Sequence, residues 1–138
     1  MDVNFAFIAD YADNSGGKIT AVGLGIDTVY AKSVPARHPL MFAVISIKFS
    51  ITEIGQKRIG MCLIDQDGHN VIPTLDTIVN VTSPPSGFLY KNHNIVLAMN
   101  MIEFPDYGDY SISWLLEGQE IKSIPLKVSI PPTQPTTE

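Results

Sequence analysis

The feature that most constrains the fold lies in the last third of the chain, where a tyrosine opens a pattern of alternating side chains. From residue 110 to residue 116 every second side chain is large and apolar, and serines lie between them at 111 and 113. A period of two is typical of a strand with one buried face. The turn Glu117-Gly118-Gln119 and a second strand-like segment, 121–130, follow at once. The sequence therefore predicts a β-hairpin at this point.

The rest of the chain has the same strand character. Short runs rich in β-branched and aromatic residues are separated by glycine, proline and Asx pairs, and no segment has sustained apolar spacing of three and four residues. We therefore predict an all-β protein, an immunoglobulin-like antiparallel β-sandwich of about 7–9 strands without a substantial helix. The predicted strands are residues 3–11, 18–22, 25–30, 41–51, 57–64, 70–79, 95–104, 110–116 and 119–130.

Two of these strands predict a buried core face and a second apolar face that another segment has to cover. In strand 41–51 one face is assigned to Met41, Ala43, Ile45, Ile47, Phe49 and Ile51. Strand 95–104 is apolar on both faces, with Ile95, Leu97, Met99 and Met101 on one and Val96, Ala98, Ile102 and Phe104 on the other. A second apolar face has to be covered. We expect either the N-terminal segments or a second subunit to cover it, and the second case gives a homodimer.

Length and composition fit one domain. The 138 residues are 45% hydrophobic, which is enough for a continuous core. We assign residues 1–130 to a single sandwich domain. Residues 131–138 contain three prolines and several threonines, and we expect them to form a flexible C-terminal tail.

Charge and cysteine content exclude several classes of protein. The net charge is −5 and the 9 Lys and Arg residues form no basic stripe, so we expect neither nucleic acid nor a membrane as a partner. No apolar run approaches the roughly 18–20 residues of a membrane span. Asp2 is atypical of an export signal, and Cys62, the one cysteine, cannot form an internal disulfide. We therefore expect a cytoplasmic protein.

Motifs of enzymes and of cofactor sites are missing from the sequence. Gly23-Leu24-Gly25 lacks the third glycine of a dinucleotide-binding turn, and Cys62 and Trp114 lie among apolar neighbours as core residues do. We therefore predict that the protein is not an enzyme, and we assign no catalytic residue and no cofactor.

The opening of the chain resembles a known family. The segments that carry the likeness are Phe7-Ile8-Ala9-Asp10-Tyr11-Ala12, Gly17-Lys18-Ile19, Gly23-Leu24-Gly25-Ile26-Asp27-Thr28-Val29-Tyr30 and Pro35-Ala36-Arg37-His38-Pro39. They resemble the start of a family of small bacterial proteins known only as a domain of unknown function. The likeness implies a bacterial or phage origin and a β-sandwich, and it carries no activity with it.

The first candidate site is segment 80–94, the longest stretch without strand character. It contains Pro84-Pro85 and Gly87, and it ends in a cluster of aromatic and basic residues. Loops of this length are often functional, and aromatic residues are common anchors of protein interfaces. The alternative is that Phe88 and Leu89 only cap the core. The predicted partner-binding residues are Phe88, Leu89, Tyr90, Lys91 and His93.

The second candidate site is an acidic end of the sandwich. If successive strands are antiparallel, one end gathers the loop residues His38, Asp65, Asp67, His69, Asp106 and Asp109. Carboxylate and imidazole groups are ligands for Ca²⁺, Mg²⁺ or Zn²⁺. However, Asp65-Gln66-Asp67-Gly68 lacks the spacing of an EF-hand loop, and Asp-Gly turns recur for geometric reasons alone. We therefore assign no metal site and keep Asp65, Asp67 and His69 as candidate ligands.

Two functional hypotheses follow. The first is a non-enzymatic cytoplasmic module that binds a protein partner through segment 80–94 or through an apolar strand face. The alternative is a metal-binding or small-ligand-binding protein that uses Asp65, Asp67, Asp106 and Asp109.

Overall fold

The computed structural model describes residues 1–133, and within them the chain forms nine strands in two sheets. The strands are β1 (Asp2–Ser15), β2 (Lys18–Leu24), β3 (Thr28–Tyr30), β4 (Ala36–Ser50), β5 (Gly55–Asp65), β6 (Leu75–Val81), β7 (Tyr90–Phe104), β8 (Gly108–Leu116) and β9 (Gln119–Ser129). One sheet has the order β2-β1-β4-β7 and the other has the order β3-β9-β8-β5-β6. All neighbours are antiparallel except β3 and β9. The predicted all-β fold is confirmed.

The structure describes the predicted C-terminal tail only as far as residue 133. Residues 131–133 lie outside the strands. The remainder of the predicted tail, 134–138, lies outside the described residues. Within residues 1–133 no helix is long and apolar enough to cross a membrane.

The core lies between the two sheets and is built by alternating side chains. Met41, Ala43, Ile45, Ile47 and Phe49 of β4 are fully buried, as their spacing predicts. The assignment of Ile51 to the same face is wrong, because β4 ends at Ser50 and a 3₁₀ turn, Ile51–Glu53, follows. The Glu53 carboxylate accepts a hydrogen bond from the Ser50 amide at 2.9 Å, which closes this turn.

Strand β7 changes the direction of its side chains near its end. Ile95 and Met99 face the core as predicted, but Ile102 and Phe104 are also buried, so their predicted assignment to the opposite face is wrong. The cause is Met101, whose φ of 50° lies in the left-handed region and shifts the alternation by one residue.

The outer face of the four-stranded sheet is covered by the β1–β2 hairpin. β1 pairs with β4 only as far as Ala9, and beyond that residue it pairs with β2 alone. The Asn14 side-chain amide donates to the Asn94 backbone carbonyl at 3.3 Å, and the Asn94 side-chain amide donates to the Gly17 backbone carbonyl at 3.1 Å. Because β4 separates β1 from β7 within the sheet, these bonds require the hairpin to fold across its face. The N-terminal segments therefore cover the second face, as one of the two alternatives predicted.

The burial of small and apolar side chains confirms this packing. Val44 is fully buried and Ser46 is nearly so, although both point away from the inter-sheet core cluster. Ala12 of the hairpin is also buried outside that cluster, and its small side chain allows the hairpin to approach the sheet closely. The Tyr11 ring packs edge-on against the Phe42 ring, with 5.3 Å between centroids.

A tyrosine fixes the connection that precedes β8. The Tyr110 hydroxyl donates to the Asp106 carbonyl at 2.7 Å and accepts a bond from the Asp106 amide at 3.3 Å. Burial is the main cause that raises the pKa of this hydroxyl. A tyrosine hydroxyl that bonds to the backbone a few residues upstream is a feature of immunoglobulin-like sandwiches. The two-sheet architecture is compatible with that class.

Candidate functional site

The predicted binding segment is shorter in the structure than in the sequence analysis. β6 continues to Val81 and β7 begins at Tyr90, so the connection comprises residues 82–89. Phe88 and Leu89 lie in it, whereas Tyr90, Lys91 and His93 belong to a strand. The prediction of a loop over 80–94 was wrong because β4 is long enough to pair with the polar start of β7, Lys91↔Phe49 among others. Pairing with a distant strand outweighs the low strand propensity of this segment.

A tight turn presents the aromatic end of this connection. The Phe88 amide donates to the Pro85 carbonyl at 3.0 Å, and Gly87 has a φ of 90°. This is the geometry of a type II turn with glycine at its third position. The next residue is held from the other side, since the Ile51 amide donates to the Leu89 carbonyl at 3.0 Å. The connection is therefore anchored to the 3₁₀ turn that follows β4.

The two anchored segments carry five large apolar side chains that are exposed to solvent. Ile51 and Ile54 are three residues apart at the 3₁₀ turn, and that spacing places both on one side of it. Each side chain of the set is between 47% and 66% exposed. We call the set the end patch, and it consists of Ile51, Ile54, Phe88, Leu89 and Tyr90. Sequence analysis missed Ile51 because it continues the apolar alternation of β4, and it made no assignment for Ile54.

Two lysines border the end patch. The Lys48 ammonium lies over the Tyr90 ring, 5.4 Å from its centroid, which is a cation–π contact. The Lys91 ammonium donates to the Thr82 hydroxyl. Neither lysine forms a salt bridge with a carboxylate of residues 1–133. The patch therefore combines apolar surface with two positive charges that have no carboxylate partner there.

His93 does not belong to the exposed surface. Its ring packs edge-on against the Phe49 ring at 5.7 Å between centroids, and its Nε2 is buried without a hydrogen-bond partner among the described residues. Burial lowers the pKa of this imidazole, and the nearby Lys91 lowers it further. The prediction that His93 contacts a partner is therefore not supported by its position, since its ring contributes to the core.

The acidic end contains a small cleft, as the strand directions predicted. Its volume is about 50 Å³, and its lining includes Asp65, Asp67, Asp106 and Asp109. The predicted members His38 and His69 do not line it. His38 lies in β4 opposite Ile102, so the prediction that it joins this cluster is wrong.

The Asp65 carboxylate serves the turn in which it lies. One of its oxygens accepts hydrogen bonds from the Asp67 and His69 amides, both at 2.9 Å. Both hydrogen bonds lower the pKa of Asp65, and the bond from the His69 amide has the larger effect. The other oxygen lies 3.6 Å from His69 Nδ1. Potential ligand atoms of Asp65, Asp67 and His69 lie within 4.8 Å of one another, which is close enough to hold a cation. One Asp65 oxygen is already used by the two backbone hydrogen bonds.

Comparison with known proteins identifies the family. A family model described as "Family of unknown function (DUF6941)" matches residues 4–129. The chain belongs to the DUF6941 family. The resemblance to an uncharacterised domain family is thereby confirmed. Comparison with curated proteins gives no significant match.

The match to DUF6941 covers both candidate sites. It also covers all nine strands, apart from the first two residues of β1. Two further residues of this DUF6941 chain that attract attention in the sequence have structural positions. Trp114 is fully buried in the core. Cys62 is half-buried on β5, with its sulfur 3.4 Å from the Thr74 hydroxyl. Of the sites considered, the end patch is the one that carries several large apolar side chains exposed to solvent.

Proposed function

We propose that this DUF6941 chain is a non-enzymatic protein-interaction module and that the end patch binds its partner. One observation supports the proposal above all others. Five large apolar side chains are at least 47% exposed on two segments that a backbone hydrogen bond joins. Single exposed apolar residues are ordinary, but several of them on two joined segments at one end of the sandwich support an interaction surface.

The chemistry of the patch indicates what its partner presents. Phe88 and Tyr90 are the aromatic type that dominates the energy of protein interfaces, and Leu89, between them in sequence, is apolar as well. Lys48 and Lys91 add positive charge at the border. A partner segment that combines apolar side chains with Asp or Glu therefore complements the patch. We place this function in the cytoplasm, which agrees with the free thiol of Cys62.

A pull-down with a matched control tests the proposal. The tagged protein is incubated with extract of the organism that encodes it, and bound proteins are identified by mass spectrometry. The test variant is Phe88→Ser/Leu89→Ser. The control is Leu24→Ser/Tyr30→Ser, which removes side chains of similar exposure, 62% and 57%, from strands β2 and β3.

The expected result is a partner that the wild type and the control retain and that the test variant loses. Circular dichroism and thermal unfolding establish that each variant is folded. A partner retained equally by both variants contradicts the assignment of the end patch.

A second candidate function is cation binding at the acidic end. The observation that favours it is the approach of Asp65, Asp67 and His69 donor atoms to within 4.8 Å. The test measures the melting temperature with added Ca²⁺, Mg²⁺ or Zn²⁺ in the wild type and in Asp67→Asn. Asp67 is the variant of choice because its carboxylate makes no hydrogen bond within residues 1–133, whereas that of Asp65 holds the turn. A rise that Asp67→Asn abolishes supports this candidate, and an unchanged wild-type temperature contradicts it.

A further inference from the structure

Strand β7 forms an unusually long free edge. It is the last strand of the four-stranded sheet and pairs with β4 alone. β7 has 15 residues, whereas the other three edge strands, β2, β3 and β6, have 7, 3 and 7. Short edge strands are one way in which proteins prevent unwanted strand pairing. The β7 edge lacks this protection.

Other protective features are also missing from the first two thirds of this edge. Residues 90–100 contain no proline, and the pairing of β7 with β4 keeps one register from Ser50↔Tyr90 to Leu40↔Asn100. The first backbone irregularity is the left-handed Met101. The backbone N–H and C=O groups that point away from β4 are therefore arranged to pair with another strand, except at Asn94, whose carbonyl accepts a hydrogen bond from the Asn14 side chain.

An apolar groove lies beside the same edge. Its volume is about 310 Å³. Its lining includes Met99 and Ile102 of β7, and also Leu75, the first residue of β6, and Ile72, which precedes that strand. A strand added to β7 would place every second side chain on the core-facing side of the sheet, next to Met99. The groove has space for an apolar side chain at that position.

We propose that the β7 edge pairs with the same edge of a second copy of this chain, antiparallel and about a twofold axis at Leu97. This register joins the two four-stranded sheets into one continuous sheet. It places Ile95 opposite Met99 of the partner subunit and Val96 opposite the partner's Ala98. Core-facing residues thus meet core-facing residues, and the centre of the interface is apolar on both chains.

Charge along the edge favours this arrangement. Between residues 90 and 104 the charged side chains are Lys91 near the beginning and Glu103 near the end, and Glu103 also lies 3.9 Å from the Arg37 guanidinium of β4. An antiparallel arrangement brings the positive end of each edge to the negative end of the other, whereas a parallel one brings like charges together. The second copy is therefore an occupant whose charge and apolar residues complement the edge. Apart from Tyr90, which is the first residue of β7, the end patch lies beyond the ends of the strands, and its Phe88 and Leu89 stay free in the dimer.

The first measurement is the molar mass of the wild type by sedimentation across the micromolar range. A dimer is expected. A protein that stays monomeric at the highest concentration overturns the proposal. A dimer that Phe88→Ser/Leu89→Ser dissociates also overturns it, because the end patch would then form the interface.

A cysteine placed on the proposed axis tests the register. In an antiparallel pair, residues directly opposite each other have Cα atoms about 4.5–5.5 Å apart, within the range that a disulfide spans. Leu97→Cys in a Cys62→Ser background is therefore expected to form a disulfide-linked dimer almost completely under mild oxidation. The control Val22→Cys in the same background, an exposed position on the hairpin, is expected to remain largely monomeric. Equal cross-linking of the two variants, or none at Leu97→Cys, overturns the proposed pairing.

Discussion

The amide of Ile51 donates a hydrogen bond of 3.0 Å to the carbonyl of Leu89. This bond continues the β4–β7 ladder one step beyond the last paired residues, Ser50 and Tyr90. It joins the 3₁₀ turn after β4 to the connection before β7, although the two segments are far apart in sequence. The end patch therefore has a fixed backbone, which lowers the conformational cost of binding.

The turn that presents Phe88 depends on Gly87. Its φ of 90° disfavours any residue with a Cβ, although an added Cβ would meet no atom within 4 Å. We expect Gly87→Ala to cost about 1 kcal/mol of folding free energy, entirely through backbone strain. We also expect it to weaken partner binding, because Phe88 is displaced. Urea unfolding and the pull-down measure the two effects, and Ser86→Ala is the control that should change neither.

Tyr110 provides a stability prediction at the other end of the molecule. Tyr110→Phe keeps the ring, which packs edge-on against Phe104 at 5.1 Å between centroids, but it removes both hydrogen bonds to Asp106. We expect a loss of about 1–2 kcal/mol in the free energy of unfolding. Urea denaturation measures it, and a loss below the experimental error would show that the Asp106 backbone finds other partners.

His93 makes stability depend on pH. Because burial lowers its pKa in the folded protein, the unfolded chain binds more protons below the ordinary histidine pKa of about 6.5. Stability is therefore expected to fall as the pH drops below that value, and this contribution levels off once the pH is below the folded pKa. His93→Gln should flatten the slope between neutral and mildly acidic pH. His69→Gln, at an exposed position, should leave the slope in place.

The hairpin that covers the outer sheet face allows little space at Ala12. A leucine there has to separate the hairpin from the sheet, so we expect Ala12→Leu to cost about 1–3 kcal/mol. Thr20→Leu, at an exposed position of β2, should change stability by less than about 0.5 kcal/mol. Denaturant unfolding compares the two. Similar values for both variants would contradict the close packing of the hairpin.

Local patterns predicted much of this fold. The alternation from Met41 to Phe49 identified the core face of β4, and the Asp65-Gln66-Asp67-Gly68 turn forms with Gly68 at a φ of 83°. Both depend on near neighbours in sequence. Tyr110 was likewise placed correctly at the start of its strand.

The features that the sequence did not predict depend on contacts between distant segments. The start of β7 is polar, and it becomes a strand because β4 provides a long partner. The exposure of Ile51 depends on where β4 ends, and its position beside Leu89 depends on the β4–β7 register. The change of face at Met101 requires a backbone conformation that is rare for methionine. The end patch therefore could be predicted only in part, through Phe88, Leu89 and Tyr90.

The most direct test of the proposed function is site-specific photo-cross-linking. A photoreactive phenylalanine analogue is placed at position 88, in the end patch, or at position 30, at the far end of β3, and each protein is irradiated in extract of its own organism. The account predicts a defined cross-linked partner from position 88 that is missing from position 30. The same partner from both positions, or a partner from position 30 alone, would contradict the end patch as the binding surface.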